Sequence, residues 1–335
     1  MYKKIVNVSC LISLLAIILT GCESNENAVI KSSQSPVETL SVQETTKVKE
    51  KVFPYPDQKE TGTSPALATY MNEEGNMEIL MVQEHQKAVK MVCGTLIDGK
   101  WTYKQCGWKG EKETFTFSNL LGVVVEPEQE KMYINFSLEE EEEENQIFYM
   151  DLQKGKIKEK KLKGFEGNLQ TTGDNAPTIR AAKGDNVVIQ FSEYYSVVYN
   201  TRTEQIVSEY AFDLYDCKLT EESLYVYREG MLRQYNIQDG KETCAYYFEN
   251  GQAKNDYICY AVSEEEELYI FTANGIYETT LGESRMEKVG EIKQSETVSD
   301  SNVYVYDLYV NTDGELYTYS IHRETGQWNI SKWIL

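Results

Sequence analysis

Two histidines, His85 and His322, are all the chain offers for imidazole chemistry, and no Gly-x-Ser-x-Gly stands near either. A histidine-dependent nucleophile and base are therefore not expected. Carboxylates are abundant, with 54 Asp and Glu side chains. Their number hides rather than reveals the two acids that glycoside hydrolysis would place on either side of one bond. Two acidic runs stand out, Glu139–Glu144 and Glu264–Glu267. Calcium needs several oxygens brought round one point, and a straight run without a DxDxDG-type loop reads as a solvated turn instead. No CxxC pair and no glycine-rich phosphate loop occur, so the sequence calls for neither a metal nor a cofactor. A different group of residues has the chemistry of recognition: Tyr194, Tyr195, Arg228, His322 and Arg323. Aromatic and arginine side chains dominate binding hot spots. Whether these five act together depends on the elements that carry them.

The charge balance narrows the partners. The chain has 33 basic and 54 acidic side chains and a net charge of −21. Nucleic acid and anionic headgroups both require a basic footprint, so nucleic acid is not an expected partner, nor is direct membrane contact by the folded domain. Seven cysteines are present. Cys93 and Cys106 flank a hairpin-like stretch and face each other if its register allows. Buried free thiols are the preferred reading for these two and for Cys217, Cys244 and Cys259.

The first sixty residues are of two kinds. Lys3 and Lys4 precede an apolar run, Leu11 to Leu19, that is short of the ~20 residues a spanning helix needs. A charged start, a short apolar segment and small residues after it read as a secretory signal. Leu19-Thr20-Gly21-Cys22 resembles a bacterial lipobox. That resemblance implies cleavage before Cys22 and lipidation of its sulfur, giving an anchor in the cell membrane on the extracytoplasmic side. Two or more acyl chains hold a protein stably on a bilayer. Residues 22–60 follow, rich in Ser, Thr, Glu, Gln and Lys, and too poor in apolar side chains to fold alone. They are expected to act as a tether after a signal peptide at 1–21, leaving 61–335 as the folded domain.

Within 61–335, the 25 tyrosines fall mostly in alternating runs such as LYVY, LYTY and VYVY, which suit half-buried strands. Six stretches align: 69–82, 123–136, 179–191, 217–228, 260–272 and 308–320. Each reads strand, polar turn, strand, and most lead into a third strand. Aligned on Ile79, Met132, Val187, Leu224, Leu268 and Leu316, they recur every 37 to 55 residues. Repeats of ~40–50 residues, each a small antiparallel sheet, mark a β-propeller. The expectation is an all-β fold, a six-bladed propeller of four-stranded blades, with seven blades or a β-sandwich as alternatives. The chain ends on what reads as a third strand, WNISKWIL, so Val48–Phe53 is expected to supply the missing outer strand. The pattern over 70–335 resembles propellers of the broad WD40, YVTN and quinoprotein-like type. No Trp-Asp dipeptide ends a blade, and VNTDGELYT at 310–318 is only a distant echo of the sialidase Asp-box, so no family residues carry over.

In such a fold, turns between second and third strands share one end with the connections between blades. That end gathers the loops at 84–87, 139–144, 193–196, 228–230, 273–275 and 322–326, which include all five recognition residues. The expected function is a membrane-anchored binding or scaffold module for an envelope protein or glycan. The alternative is an extracellular carbohydrate-active enzyme using a carboxylate pair at the channel mouth.

Overall fold

The structure, a computed structural model, describes residues 46–55, 67–85, 88–111, 120–136, 146–155, 157–165, 177–248, 257–279, 284–293, 295, 297–298 and 300–335. Cys22, the tether before Thr46 and the Glu139–Glu144 loop lie outside the described residues. Regular structure among the described residues is all strand. Alternating β-branched and aromatic positions favour extended backbone, as in Ser223–Arg228 (SLYVYR).

β1 (Thr46–Lys47) and β2 (Lys49–Pro54) come first. β3–β6 are Ala68–Met71, Met77–His85, Ala88–Ile97 and Lys100–Glu111. β7–β10 are Leu120–Glu126, Lys131–Phe136, Gln146–Asp151 and Ile157–Lys161. β11–β14 are Thr178–Lys183, Asn186–Ser192, Tyr195–Asn200 and Gln205–Tyr210. β15–β18 are Cys217–Leu219, Ser223–Arg228, Met231–Asn236 and Glu242–Phe248. β19–β22 are Tyr257–Val262, Leu268–Thr272, Gly275–Thr279 and Arg285–Glu291. β23–β25 are Val303–Val310, Leu316–His322 and Gln327–Ile334.

Turn chemistry sets several of the hairpins. Arg228 pairs with Met231 across a two-residue loop, Glu229-Gly230, and both loop residues have positive φ, 56° and 80°. That is the type I′ geometry whose twist matches the flanking strands, and glycine takes its second position without strain.

Neighbouring residues on a strand point to opposite faces. Each sheet therefore buries both faces between its neighbours. Val187 belongs to a cluster with Tyr133, Ile147 and Tyr199, whereas Val188 belongs to one with Leu224, Val226 and Tyr235. Leu80 and Cys93 cluster with Met132, Ile134 and Met150. Further along, Tyr225 and Leu232 cluster with Leu268 and Ile270, and Phe271 and Ile276 with Leu316 and Trp333. Ile79 and Met81 complete the circuit with Tyr319 and Ile330. The first strands adjoin in the same order, β3 beside β7, β7 beside β11, β11 beside β15, β19 beside β23, and β23 beside β3. The fold is a β-propeller, and the sandwich alternative falls because the core closes on itself.

The expected blade count is corrected. Four discrete four-stranded antiparallel blades form, not six or seven: β3–β6, β7–β10, β11–β14, and β23–β25 with β2. The other nine strands belong to one sheet. In it, β18 pairs with β22 in parallel through Tyr247↔Arg285 and Phe248↔Met286, and β1 continues along the same edge through Thr46↔Gly290. Outer edges that would otherwise separate two repeats are joined backbone to backbone, which satisfies groups an isolated edge leaves unpaired.

β2 lies antiparallel to β25, from Lys49↔Ile334 to Pro54↔Asn329, as expected for the closing strand. Phe53 is buried in the cluster of Ile79, Met81 and Ile330. Trp101 of the first blade donates its indole N–H to Pro54 O (3.2 Å), so β2 also fastens the last blade to the first.

Candidate functional site

The turns between second and third strands and the connections between sheets emerge at one end of the propeller, and the axial passage lies beneath it. On the β12–β13 turn, Tyr194 is 75 % exposed. Its neighbour Tyr195 stacks on Phe191, centroids 5.7 Å apart, and donates its hydroxyl to Glu209 Oε2 at 3.0 Å. Partial burial and the Glu209 carboxylate push the Tyr195 phenol up to about 12. Arg228, before the β16–β17 turn, lays its guanidinium 4.6 Å over the Phe212 ring, with Glu229 Oε1 at 3.5 Å. At the β24–β25 turn, His322 Nδ1 accepts the Thr325 N–H (3.3 Å), and its Nε2 lies 3.3 Å from Asp300 Oδ2. Arg323 lies 5.2 Å over the Tyr304 ring.

These five residues share an end but not a single cluster. Tyr194 and Tyr195 belong to one hairpin, and His322 and Arg323 to another. Arg228 bridges to Phe212 on the connection between β14 and β15. The structure adds partners that sequence reasoning missed. Arg180, near the start of β11, lies 4.8 Å under the exposed Tyr215 ring and donates through Nε to Gln190 at 2.8 Å. Three arginine–aromatic pairs thus mark this end: Arg180–Tyr215, Arg228–Phe212 and Arg323–Tyr304. Tyr304 and Tyr306 are 45 % and 51 % exposed. Tyr306 lies 5.6 Å from Trp328, which stacks on Tyr319 at 4.7 Å and 6°.

No known family model and no curated protein matches the chain. Among solved structures it is similar to the β-propeller domain of Cps50 (Swd1) from Myceliophteria thermophila. That pair is 14 % identical over 79 % of this chain and 83 % of that one, with a TM-score of 0.47. It is also similar to BamB from Moraxella catarrhalis, 10 % identical over 85 % of this chain and 77 % of that one, with a TM-score of 0.37. The fold assignment rests on the strand pairing and core circuit above.

The axial passage holds charge. Lys218 on β15 reaches past β19 to Asp307 on β23 and donates to both carboxylate oxygens, at 2.6 and 2.7 Å. The two side chains keep 27 % and 31 % of their surface accessible. Burial opposes the charge on Lys218, but the facing Asp307 outweighs it and holds the ammonium above its ordinary value. Tyr309 lies beneath Lys218 (5.7 Å) and donates its hydroxyl to Thr69 O on β3 at 3.0 Å. Asp216, just before β15, accepts the Tyr257 hydroxyl. Burial raises the Asp216 carboxyl, more than the Tyr257 hydrogen bond lowers it. The signal for this group in the sequence is a charge inside an otherwise apolar first strand, Lys218 in CKL and Asp307 in VYVYDLYV.

The second acidic run serves the turn. Glu266 Oε1 accepts the Thr220 hydroxyl at 3.0 Å, and Glu267 Oε2 accepts Tyr269 at 3.0 Å. Among the described residues no group of three or more His, Cys, Asp or Glu side chains is arranged to hold a metal ion.

Proposed function

We propose that this chain is an extracytoplasmic lipoprotein, anchored through Cys22, whose propeller is a binding or scaffold module for an envelope protein or glycan. The observation that carries the binding role is the set of three arginine–aromatic pairs at one end. Stacking on a ring holds each guanidinium in place while leaving its N–H edges to meet carboxylates or carbonyls of a partner. Side chains ordered before binding lose less entropy when a partner arrives. The lipobox and the polar tether support display at a membrane surface. Cross-linking on intact cells, followed by purification of the native lipoprotein, tests this reading. It expects one enriched envelope component that is lost when Arg228 and Arg323 are both replaced by alanine. Equal recovery with that variant overturns the assignment of this end.

A second reading, a carbohydrate-active enzyme, has one observation in its favour. Asp216 and Asp307 line one passage in different environments, one raised by burial and the other paired to Lys218. Carboxyl groups with contrasting environments are the usual basis for separate acid and base roles. Release of sugar from an envelope polysaccharide, abolished in Asp216→Asn, would favour it over the scaffold reading.

A further inference from the structure

All five described cysteines are free, and two of them stand on paired neighbouring strands of the first blade. Cys93 lies on β5 and Cys106 on β6. Val92 faces Gln105 and Lys90 faces Lys109, so β6 sets three residues, 106–108, against the single Met91. Cys93 itself pairs with Lys104, so Cys106 stands diagonally across from Cys93 at the start of this bulge, and each thiol perturbs the other. Both line a cavity of about 720 Å³ between the first and second blades, and Cys106 is partly buried while Cys93 is 1 % exposed.

Beside them is Glu78, a carboxylate only 6 % exposed. Its Oε2 accepts Cys93 Sγ at 3.0 Å and the Tyr70 hydroxyl at 2.6 Å. Its Oε1 accepts Asn72 Nδ2 and Thr95 Oγ1, each at 3.0 Å. All four donors are uncharged. A buried carboxylate so placed is an acceptor for a proton leaving the thiol it touches.

We propose that Cys93 and Cys106 form a redox-active dithiol site that takes a low-molecular-weight disulfide as its oxidant. Cys106 enters, Cys93 resolves and Glu78 accepts the proton. In the first step the Cys106 thiolate, its proton lost to water, attacks one sulfur of the external disulfide. That S–S bond breaks, one thiolate leaves and is protonated, and Cys106 carries the mixed disulfide. In the second step Cys93 Sγ attacks Cys106 Sγ, and its proton passes by way of Glu78 Oε2 to solvent. The second external thiolate leaves and takes up a proton. The dithiol loses two electrons and two protons, and the external disulfide becomes two thiols. The order of attack agrees with the environments. The hydrogen bond to Cys93 holds the Cys106 thiol below its ordinary value, while the same contact and burial push Cys93 up. Thiolate character and access select the entering sulfur.

The test uses the full chain, reduced and then exposed to oxidised glutathione at several times, quenched with iodoacetamide in denaturant and mapped by peptide mass spectrometry. The expected result is joint loss of alkylation at Cys93 and Cys106 with a Cys93–Cys106 linked peptide, while Cys217, Cys244 and Cys259 alkylate fully. Cys93→Ser should stop at glutathione on Cys106. Glu78→Gln should slow closure at least tenfold after the mixed disulfide has formed at the wild-type rate. Full alkylation of both cysteines in the wild-type chain, or glutathione that stays on Cys106 without closure, overturns the site. Unchanged closure in Glu78→Gln overturns the role given to Glu78. The wild-type time course depends on no variant.

Discussion

Lys218 and Asp307 stand 89 positions apart in the chain and 2.6 Å apart across the axial passage. Their ion pair joins the first strand of one repeat to the first strand of another, with β19 between them.

Lys218→Met is predicted to leave Asp307 charged in the passage without its two donated hydrogen bonds. Hydrogen bonds to charged groups contribute about 1.5–3 kcal/mol, and the partial exposure of both side chains places the loss at the lower end. Urea unfolding should show a lower midpoint for this variant. A double-mutant cycle with Asp307→Asn should show strong coupling, because the second change removes the charge the first one strands. Additive effects would mean that the pair contributes nothing as a pair.

The closing strand should govern the stability of the ring. Phe53 fills the interface between the last and first blades, and Phe53→Ala is predicted to cost about 3 kcal/mol. The Asp98-Gly99 turn of the first blade packs on the same ring. A Cβ at Gly99 would lie 2.8 Å from Phe53 Cε1, at a φ of +76° that already disfavours other residues. Gly99→Ala should therefore destabilise as well, by about 1–3 kcal/mol from crowding. Hydrogen exchange at residues 49–53 reports both, and amides that exchange equally slowly in the two variants and the parent would contradict the role of this strand.

Glu78 should impose an acid limit on stability. Burial alone would raise its carboxyl, but hydrogen bonds from Cys93, Tyr70, Asn72 and Thr95 together hold it below the ordinary value of 4.5. A group depressed in the folded state contributes stability that is present above its unfolded value and lost as pH falls through the folded one. The contribution is thus complete above 4.5 and fades below it. Chemical denaturation across pH 3 to 7, on the order of the window set by carboxylate titration, should show a steeper acid loss in the parent than in Glu78→Gln. Parallel curves would contradict it.

The arginine–aromatic end should separate binding from stability. Arg228 ends β16 and Arg323 sits on an exposed turn, both outside the buried core clusters, so replacing both with alanine should shift stability by no more than about 0.5 kcal/mol per site. Loss of hot-spot residues should weaken partner binding at least about tenfold, the equivalent of 1.4 kcal/mol. Thermal unfolding and co-purification measured on one preparation distinguish the two effects. A large fall in melting temperature would make these residues structural.

Much of the strand framework was legible because it is local. Alternation in stretches such as LYTYSIH and SLYVYR reports a half-buried extended backbone whatever surrounds it. The missing outer strand of the last repeat was legible too, because a chain ending on a third strand leaves an edge that the start of the domain can cover. The recognition residues were legible only one at a time. Arg228 and Arg323 are visible on turns, but their ring partners Phe212 and Tyr304 lie on other segments, and Arg180 is hidden within a first strand.

By itself, then, the amino-acid sequence determined the all-β character, the repeat, and the start of the domain as a closing strand, since side-chain period and turn residues act over a few positions. Tertiary structure decided how many sheets stand apart. The parallel pairing of Tyr247 with Arg285 and Phe248 with Met286 fuses two repeats into one sheet, leaving four discrete blades. Tertiary structure also decided which charges and thiols meet. Lys218 with Asp307 depends on closure of the ring. Cys93 with Cys106 depends on the register of β5 against β6, which sets Lys104 opposite Cys93. Contacts of this kind are fixed only when distant backbone edges come together, and no period in the chain encodes where that happens.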